Sequence, residues 1–253
     1  MYSTLEVSVE GPIGRIWLNR PERLNALSTE LLTELAAAAR YFDSQDQVKA
    51  VIVAGRGRAF CAGADLQGFP QLDDVNLRAA ADAGRVMADS LEAMRAVTIA
   101  QIHGWCVGGG LVLAAACDLR LAAEDARFSI PEVDLGIPLA WGGIPRLVRE
   151  IGPALTKELV ITCRAFDARE AQSSGFLNRC LSADTLAGEV QALAEQIAAK
   201  PALPVFATKR HTNAVTANMV GIERAWSDAD GLIAGLLDPE CADARAAYIQ
   251  SRL

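Results

Sequence analysis

No stretch of the 253 residues approaches the roughly 20 uncharged apolar residues that a membrane span needs, so no membrane role is expected. The opening residues, MYSTLEVSVEG, lack a basic region followed by an apolar one, which argues against a secretory signal. The six cysteines (Cys61, Cys106, Cys117, Cys163, Cys180 and Cys241) form no CxxC pair. Their spacing excludes a zinc-finger type of metal site and a disulfide framework, and it suits reduced thiols in a cytoplasmic compartment. Positive charge is also short. The formal net charge is −7 and no basic stripe is visible, so nucleic acid is not an expected partner. Internal repeats, low-complexity linkers and charge runs are absent.

Three familiar motifs are missing as well. A phosphate-binding loop needs lysine and a hydroxyl after its last glycine, but Leu111, Val112 and Leu113 follow Gly110. Neither glycine-rich turn has the GxGxxG spacing of a dinucleotide site, and GxSxG, the nucleophile elbow of hydrolases, does not occur.

What is present is an apolar, α/β-patterned chain, 51% hydrophobic and 22% charged. LEVSVEG and GRIWLNR alternate around Gly11-Pro12 and predict a hairpin. Ser28 is a helix N-cap signal before TELLTELAAAARYFDS, whose Leu31, Leu32 and Leu35 share one face. VKAVIVAG reads as a buried strand. The turn GRGRAFCAGADL then enters a helix, and residues 74–96 are mostly helical. Val97 to His103 is the next strand, with a glycine triplet and a helix after it. DLRLAAE and RFSI are short strands, and PEVDLGIP is a loop. From about Gly142 the pattern is almost wholly helical, over 143–151, 153–163, 168–174, 184–199, 203–217, 221–236 and 239–252. Strand–helix alternation predicts an α/β core with crossover connections over 1–195, and 196–253 a helical C-terminal region.

CAGADL (61–66) and VGGGL (107–111) each follow a buried strand. Three glycines at a helix start weaken that helix, which points either to tight packing of helix on strand or to something that must approach the backbone closely. Backbone N–H groups at such turns carry positive partial charge, and glycine lets a carbonyl oxygen approach without a Cβ in the way. Two turns aimed at one point make a cradle for a developing oxyanion.

AFCAGADL, then GWCVGGGLVLAAACDLRLAAEDARFSIPEVDLGI, resembles the crotonase family of acyl-CoA enzymes, the enoyl-CoA hydratase/isomerase family. LNRPERLNALS and RAFDAREAQSSGFLNRCL fit the same family, and the resemblance runs from about Leu5 to Arg252. It implies the crotonase fold, a spiral of ββα units with a helical C-terminal trimerisation region. It also implies an acyl-CoA thioester substrate, no cofactor beyond that coenzyme A, no metal, and a homotrimer or dimer of trimers. The matching oxyanion donors are the backbone N–H groups of Ala64 and Gly109. Ala26, Ala62, Asp65 and Leu66 fall where coenzyme A is lined, Arg23 where it would reach the phosphates, and Gly108 on the acyl side. Trp141 departs from the small residues often found at its position and reads either as a wall of the acyl pocket or as ordinary core. Gln67 stands where some members carry lysine. Tyr248 matches an aromatic that touches coenzyme A from a neighbouring subunit.

Hydratases of the family carry two glutamates. One matches Glu132, in SIPEVDLGI; the other matches Val112. The resemblance therefore points to a Δ3,Δ2-enoyl-CoA isomerase, because moving a double bond needs only one acid/base group. A hydratase using one glutamate and a coenzyme A-binding protein with weakened catalysis are the alternatives. His103 reads as structural, Cys61 and Cys106 as inert buried thiols, and Asp134 as a solvated loop aspartate, with assistance to Glu132 as the lesser reading. The C-terminal Ser251-Arg252-Leu253 resembles a loose peroxisomal tail signal.

Overall fold

The computed structural model describes residues 2–66, 77–221 and 227–251. β1 (Leu5–Glu10) and β2 (Ile13–Leu18) form the antiparallel hairpin, with Leu5 opposite Leu18 and Gly11 at φ +58° in its turn. From β2 onward the larger sheet is parallel. It adds β3 (Ala50–Gly55), β4 (Val97–Ile102), β6 (Leu119–Ala123) and β9 (Arg179–Leu181), in the order β1-β2-β3-β4-β6-β9. β3 is buried at every residue, as its unbroken apolar run AVIVAG requires of a strand covered on both faces.

Alternate residues of the parallel strands serve two cores. Val51, Val53, Ala100 and Ile102 pack with Leu31, Leu35 and Phe42 of α1 (Thr29–Asp43) and Met87 and Leu91 of α2 (Leu77–Ala93). Ile52, Ile99 and Leu121 face the other way, against Leu186, Val190 and Ala194 of α6 (Ala183–Ala198). α1 starts where Ser28 predicts, with the Ser28 hydroxyl accepting from the Leu31 N–H at 3.2 Å.

A second sheet holds β5 (Trp105–Val107), β7 (Arg127–Ser129) and β8 (Phe166–Asp167). In the units β4-β5-α3 (α3, Gly109–Ala115) and β6-β7-α4 (α4, Gly143–Thr162), one strand joins each sheet before a helix follows. That is the expected ββα unit. The remaining helices are α5 (Ala168–Ser173), α7 (Ala202–Met219), α8 (Asp228–Leu237) and α9 (Pro239–Gln250).

Three expectations need correcting. The almost wholly helical stretch after Gly142 contains β8 and β9, too short for any period and formed only by pairing with β7 and β6. The helices 143–151 and 153–163 are the two halves of α4, broken at Gly152 (φ +75°, ψ 165°) before Pro153. The core does not end at residue 195, which lies inside α6, because the apolar face of that helix covers the large sheet through to Ala198. The start of the 74–96 helix, the start of the 221–236 helix, the helix after CAGADL, Gln67 and the tail Arg252-Leu253 fall partly or wholly outside the described residues.

Candidate active site

The first glycine-rich turn is held by its neighbours on two sides. Toward β5, Cys61 pairs with Cys106 in a parallel bridge, and Val107 N–H donates to Cys61 O at 3.0 Å. Toward residues 24–27, Ala62 N–H donates to Leu24 O (2.9 Å), Leu27 N–H to Gly63 O (2.7 Å) and Asp65 N–H to Leu27 O (3.1 Å). In a parallel ladder the groups of Gly63 and Asp65 then face Leu27, so the Ala64 N–H is turned the opposite way. Gly63 sits at φ +94°, where a Cβ would lie 2.9 Å from Val107 O and 3.7 Å from Gly109 N, so the two turns touch.

Each glycine of the second turn meets a different neighbour. A Cβ on Gly108 would overlap the Glu132 carboxylate, one on Gly109 the Trp141 ring, and one on Gly110 would lie 2.7 Å from Cys61 O. Gly108 is the N-cap of α3 with φ +50° and ψ −118°, a conformation closed to residues with a side chain. Gly109 opens α3, so its N–H has no acceptor within the helix.

Glu132 begins the turn after β7, where Leu135 and Ile137 N–H donate to its carbonyl at 3.1 and 2.9 Å. Its side chain is buried, and Oε2 has no hydrogen-bond partner among the described residues. Burial pushes its carboxyl up to about 7. Ala64, Gly109, Val112, Glu132, Trp141 and Leu232 of α8 share one cavity of about 30 Å³. Val112 is fully buried and offers only methyl groups. A pair of backbone donors and one buried carboxyl with an oxygen left unpartnered, in an apolar cavity, suits enolate chemistry.

The flank near residues 20–26 holds the other expected residues. Arg23 is exposed on a short turn, Ala26 and Ala62 are half-buried, and Leu66 is exposed. Arg20, which the motif reading passed over, binds Asp65 Oδ2 at 2.8 Å and the Ala26 carbonyl, tying both segments together. Asn25, also passed over, is fully buried at φ +57°. It donates to Arg56 O and Ala59 O at 2.9 and 2.8 Å and accepts from Arg20 N–H at 3.0 Å. Its place between Leu24 and Ala26 is a readable turn signal, since asparagine tolerates positive φ.

Other candidates stand apart from the cavity. Asp134 is exposed and hydrogen-bonds Cys163, so it does not assist Glu132. His103 bonds Gly57 O at 2.9 Å through Nε2. Cys61 and Cys106 are buried and their thiols pushed up by burial, Cys61 to about 12, which makes them poor nucleophiles. Tyr248 packs in its own chain against the cluster of Ala81, Leu135, Ile137, Ala229 and Leu232. No cluster of metal-ligating side chains occurs among the described residues.

The profile described as enoyl-CoA hydratase/isomerase matches residues 8–231. The chain belongs to the enoyl-CoA hydratase/isomerase family. A probable enoyl-CoA hydratase of Rhizobium meliloti is 40% identical over 203 residues, covering 78% of this chain and 76% of that one. A peroxisomal Delta(3,5)-Delta(2,4)-dienoyl-CoA isomerase of Arabidopsis thaliana is 34% identical, covering 82% and 81%. The crystal structure of an enoyl-CoA hydratase/isomerase from Mycobacterium paratuberculosis superposes with a TM-score of 0.90 at 27% identity, over 98% of this chain and 99% of that one. The fold is the crotonase fold, and the enzyme acts on acyl-CoA thioesters, as its family does.

Proposed function

We propose that the enzyme is a Δ3,Δ2-enoyl-CoA isomerase in which Glu132 is the sole acid/base. The carrying observation is Val112, a fully buried aliphatic residue lining the same cavity as Glu132. The Ala64 and Gly109 N–H groups hold the thioester oxygen, and Glu132 takes a proton from C2. Electrons move from the C2–H bond toward the carbonyl, giving a dienolate whose charge the two donors stabilise. Glu132 then returns the proton to C4, the double bond lies between C2 and C3, and the carboxylate is regenerated. A carboxyl pushed up to about 7 is well matched to taking and giving a proton near neutrality.

The hydratase alternative has its own support, the name borne by the 40% identical Rhizobium meliloti relative. There Glu132 alone would direct water to C3 and protonate C2. Val112 removes the second group that such a water would lean on.

Incubation with 3-enoyl-CoA and 2-enoyl-CoA, read by proton NMR and mass, separates the two readings. Isomerisation leaves the mass unchanged, whereas hydration adds one water. Fast double-bond movement with slow hydration is the expected result. Hydration of 2-enoyl-CoA faster than isomerisation of 3-enoyl-CoA would remove the isomerase reading. For assembly the proposal is a homotrimer or a dimer of trimers; α7, whose apolar Leu203 and Met219 are 80% and 77% exposed in the single chain, supports contact with a neighbouring copy.

A further inference from the structure

Trp141 is held in an unusual way for a residue that faces a substrate cavity. It lies at φ +61°, followed by Gly142 at +71°, so two successive residues are left-handed. A bulky side chain pays steric strain in that region, so the surrounding structure must hold it there. Arg146, 1% exposed, donates through Nη1 to the carbonyls of Trp141 and Gly142 at 3.2 and 3.3 Å. Its other nitrogens bind Asp89 and Glu92 of α2 at 2.9 Å each. Gly142 N–H donates to Asp228, at the start of α8, at 2.7 Å. The backbone of Trp141 is thus fixed to both α2 and α8.

The indole is seated just as firmly. Its Nε1–H donates to Ala81 O of α2 at 3.2 Å, and its ring lies where a Cβ on Gly84 or Gly109 would be. Gly84 is a helix-interior glycine, which costs stability relative to alanine, and the ring accounts for it. The indole therefore spans the gap from α2 to the first turn of α3, directly against the residue whose N–H faces the thioester oxygen.

We propose that Trp141 is the specificity-determining residue of the site, closing its α2 side and restricting the enzyme to short acyl groups. This rests on the acyl-CoA reading of the cavity. The cavity left beside Glu132 is about 30 Å³, against roughly 300–1,000 Å³ for an ordinary ligand pocket. A longer chain passing toward α2 must displace an aromatic ring anchored at both its backbone and its Nε1. Removing the ring joins that space to the gap beside Gly84.

The test uses saturated acyl-CoAs, which bind without reacting and so give the same answer whichever reaction the enzyme performs. Dissociation constants for butyryl-, hexanoyl-, octanoyl- and decanoyl-CoA are measured for wild type, Trp141→Gly and Trp141→Phe. Glycine suits the left-handed backbone at 141, which offsets part of the lost packing. Phenylalanine keeps a smaller ring should the glycine variant not fold. For wild type, decanoyl-CoA is expected to bind at least about tenfold more weakly than butyryl-CoA. In Trp141→Gly the order reverses, with a gain of up to about fourfold for each methylene newly buried, and Trp141→Phe falls between. Wild-type binding of decanoyl-CoA as tight as that of butyryl-CoA would overturn the wall while leaving the acyl-CoA reading intact. Variants that keep the wild-type length order would do the same. Failure of wild type to bind butyryl-CoA at all would overturn both.

Discussion

The role proposed for Glu132 rests on what surrounds its carboxyl rather than on a charged partner. Desolvation raises its carboxyl from an ordinary 4.5 to about 7, so the fold favours the neutral form. That preference contributes stability fully below the unfolded value and is lost as pH rises through about 7. Above it, holding the buried charge costs about 3 kcal/mol, at roughly 1.4 kcal/mol per unit. Glu132→Gln, always neutral, should therefore melt near the wild-type temperature at pH 4.5 and several degrees above it at pH 8.5. The same variant should lose at least about a hundredfold in turnover while still binding acyl-CoA. Thermal melts at the two pH values and single-turnover assays check both halves; unchanged melting at pH 8.5 would contradict the buried charge. For wild type, kcat/KM on 3-enoyl-CoA should rise through about pH 7 to a plateau, following the carboxylate form. Val112→Glu would place a second carboxyl in the same dry cavity, where each raises the other. Isomerisation should fall at least tenfold and hydration rise from its low base, as measured by product mass. The position of Glu132 was legible in the PE loop, and so was Val112. The way Arg20 and Asn25 tie the flank together was not, although Asn25 marks a turn, because their partners Asp65, Arg56 and Ala59 lie more than thirty residues away in sequence.

At the scale of elements, the start of α3 shows why three glycines stand together. Glu132, Trp141 and Cys61 crowd them in turn, and only Gly108 also needs positive φ. The turn was visible in the sequence; the identity of its neighbours was not, since they come from three other segments. The crowding also refines how the proposed donor at Gly109 can be tested. Any residue there brings a Cβ into the Trp141 ring, so loss of activity in one variant proves little. Gly109→Ala and Gly109→Pro share that overlap, and proline is tolerated at the first position of a helix. Proline in addition lacks the N–H and carries its ring in that place, so the fold of that variant is checked by circular dichroism. The proline variant should be slower than the alanine variant by about a hundredfold to a thousandfold, the usual effect of removing one oxyanion donor. Equal turnover in two folded variants would mean that Gly109 is there for packing only. β8 and β9 belong to this scale too: strands of two and three residues leave no periodic trace and form only because β7 and β6 offer them edges.

Across the whole molecule, the alternating strand–helix pattern was enough to place the α/β core, because buried parallel strands need long apolar runs and the crossovers need helices. The end of that core was misplaced because α6 looks like any amphipathic helix until its apolar face is seen on β3, β4 and β6. α7 is different in kind. Lys209 is its one buried residue, reaching Ala96 O and Asp118 Oδ2 at 2.8 and 2.7 Å, and Asp118 Oδ2 also accepts from Thr98 N–H and Oγ1–H. A buried ammonium held by these two acceptors fixes where the helix sits, yet it contributes little net stability once its desolvation is counted. The apolar side chains of α7 do not make up the difference, since Leu203, Val215 and Met219 all face outward from the single chain. An eighteen-residue helix gains little from propensity alone, and most helical stability in proteins comes from packing. The packing that α7 lacks within its own chain is what a neighbouring copy would supply. Wild type should therefore sediment with the mass of three chains or a multiple of it. Leu203→Asp combined with Met219→Asp, which leaves the Lys209 anchor in place, should shift that mass to a single chain with little change in far-ultraviolet circular dichroism. A wild-type monomer, or a double variant that keeps the wild-type mass, would show that α7 has no such partner.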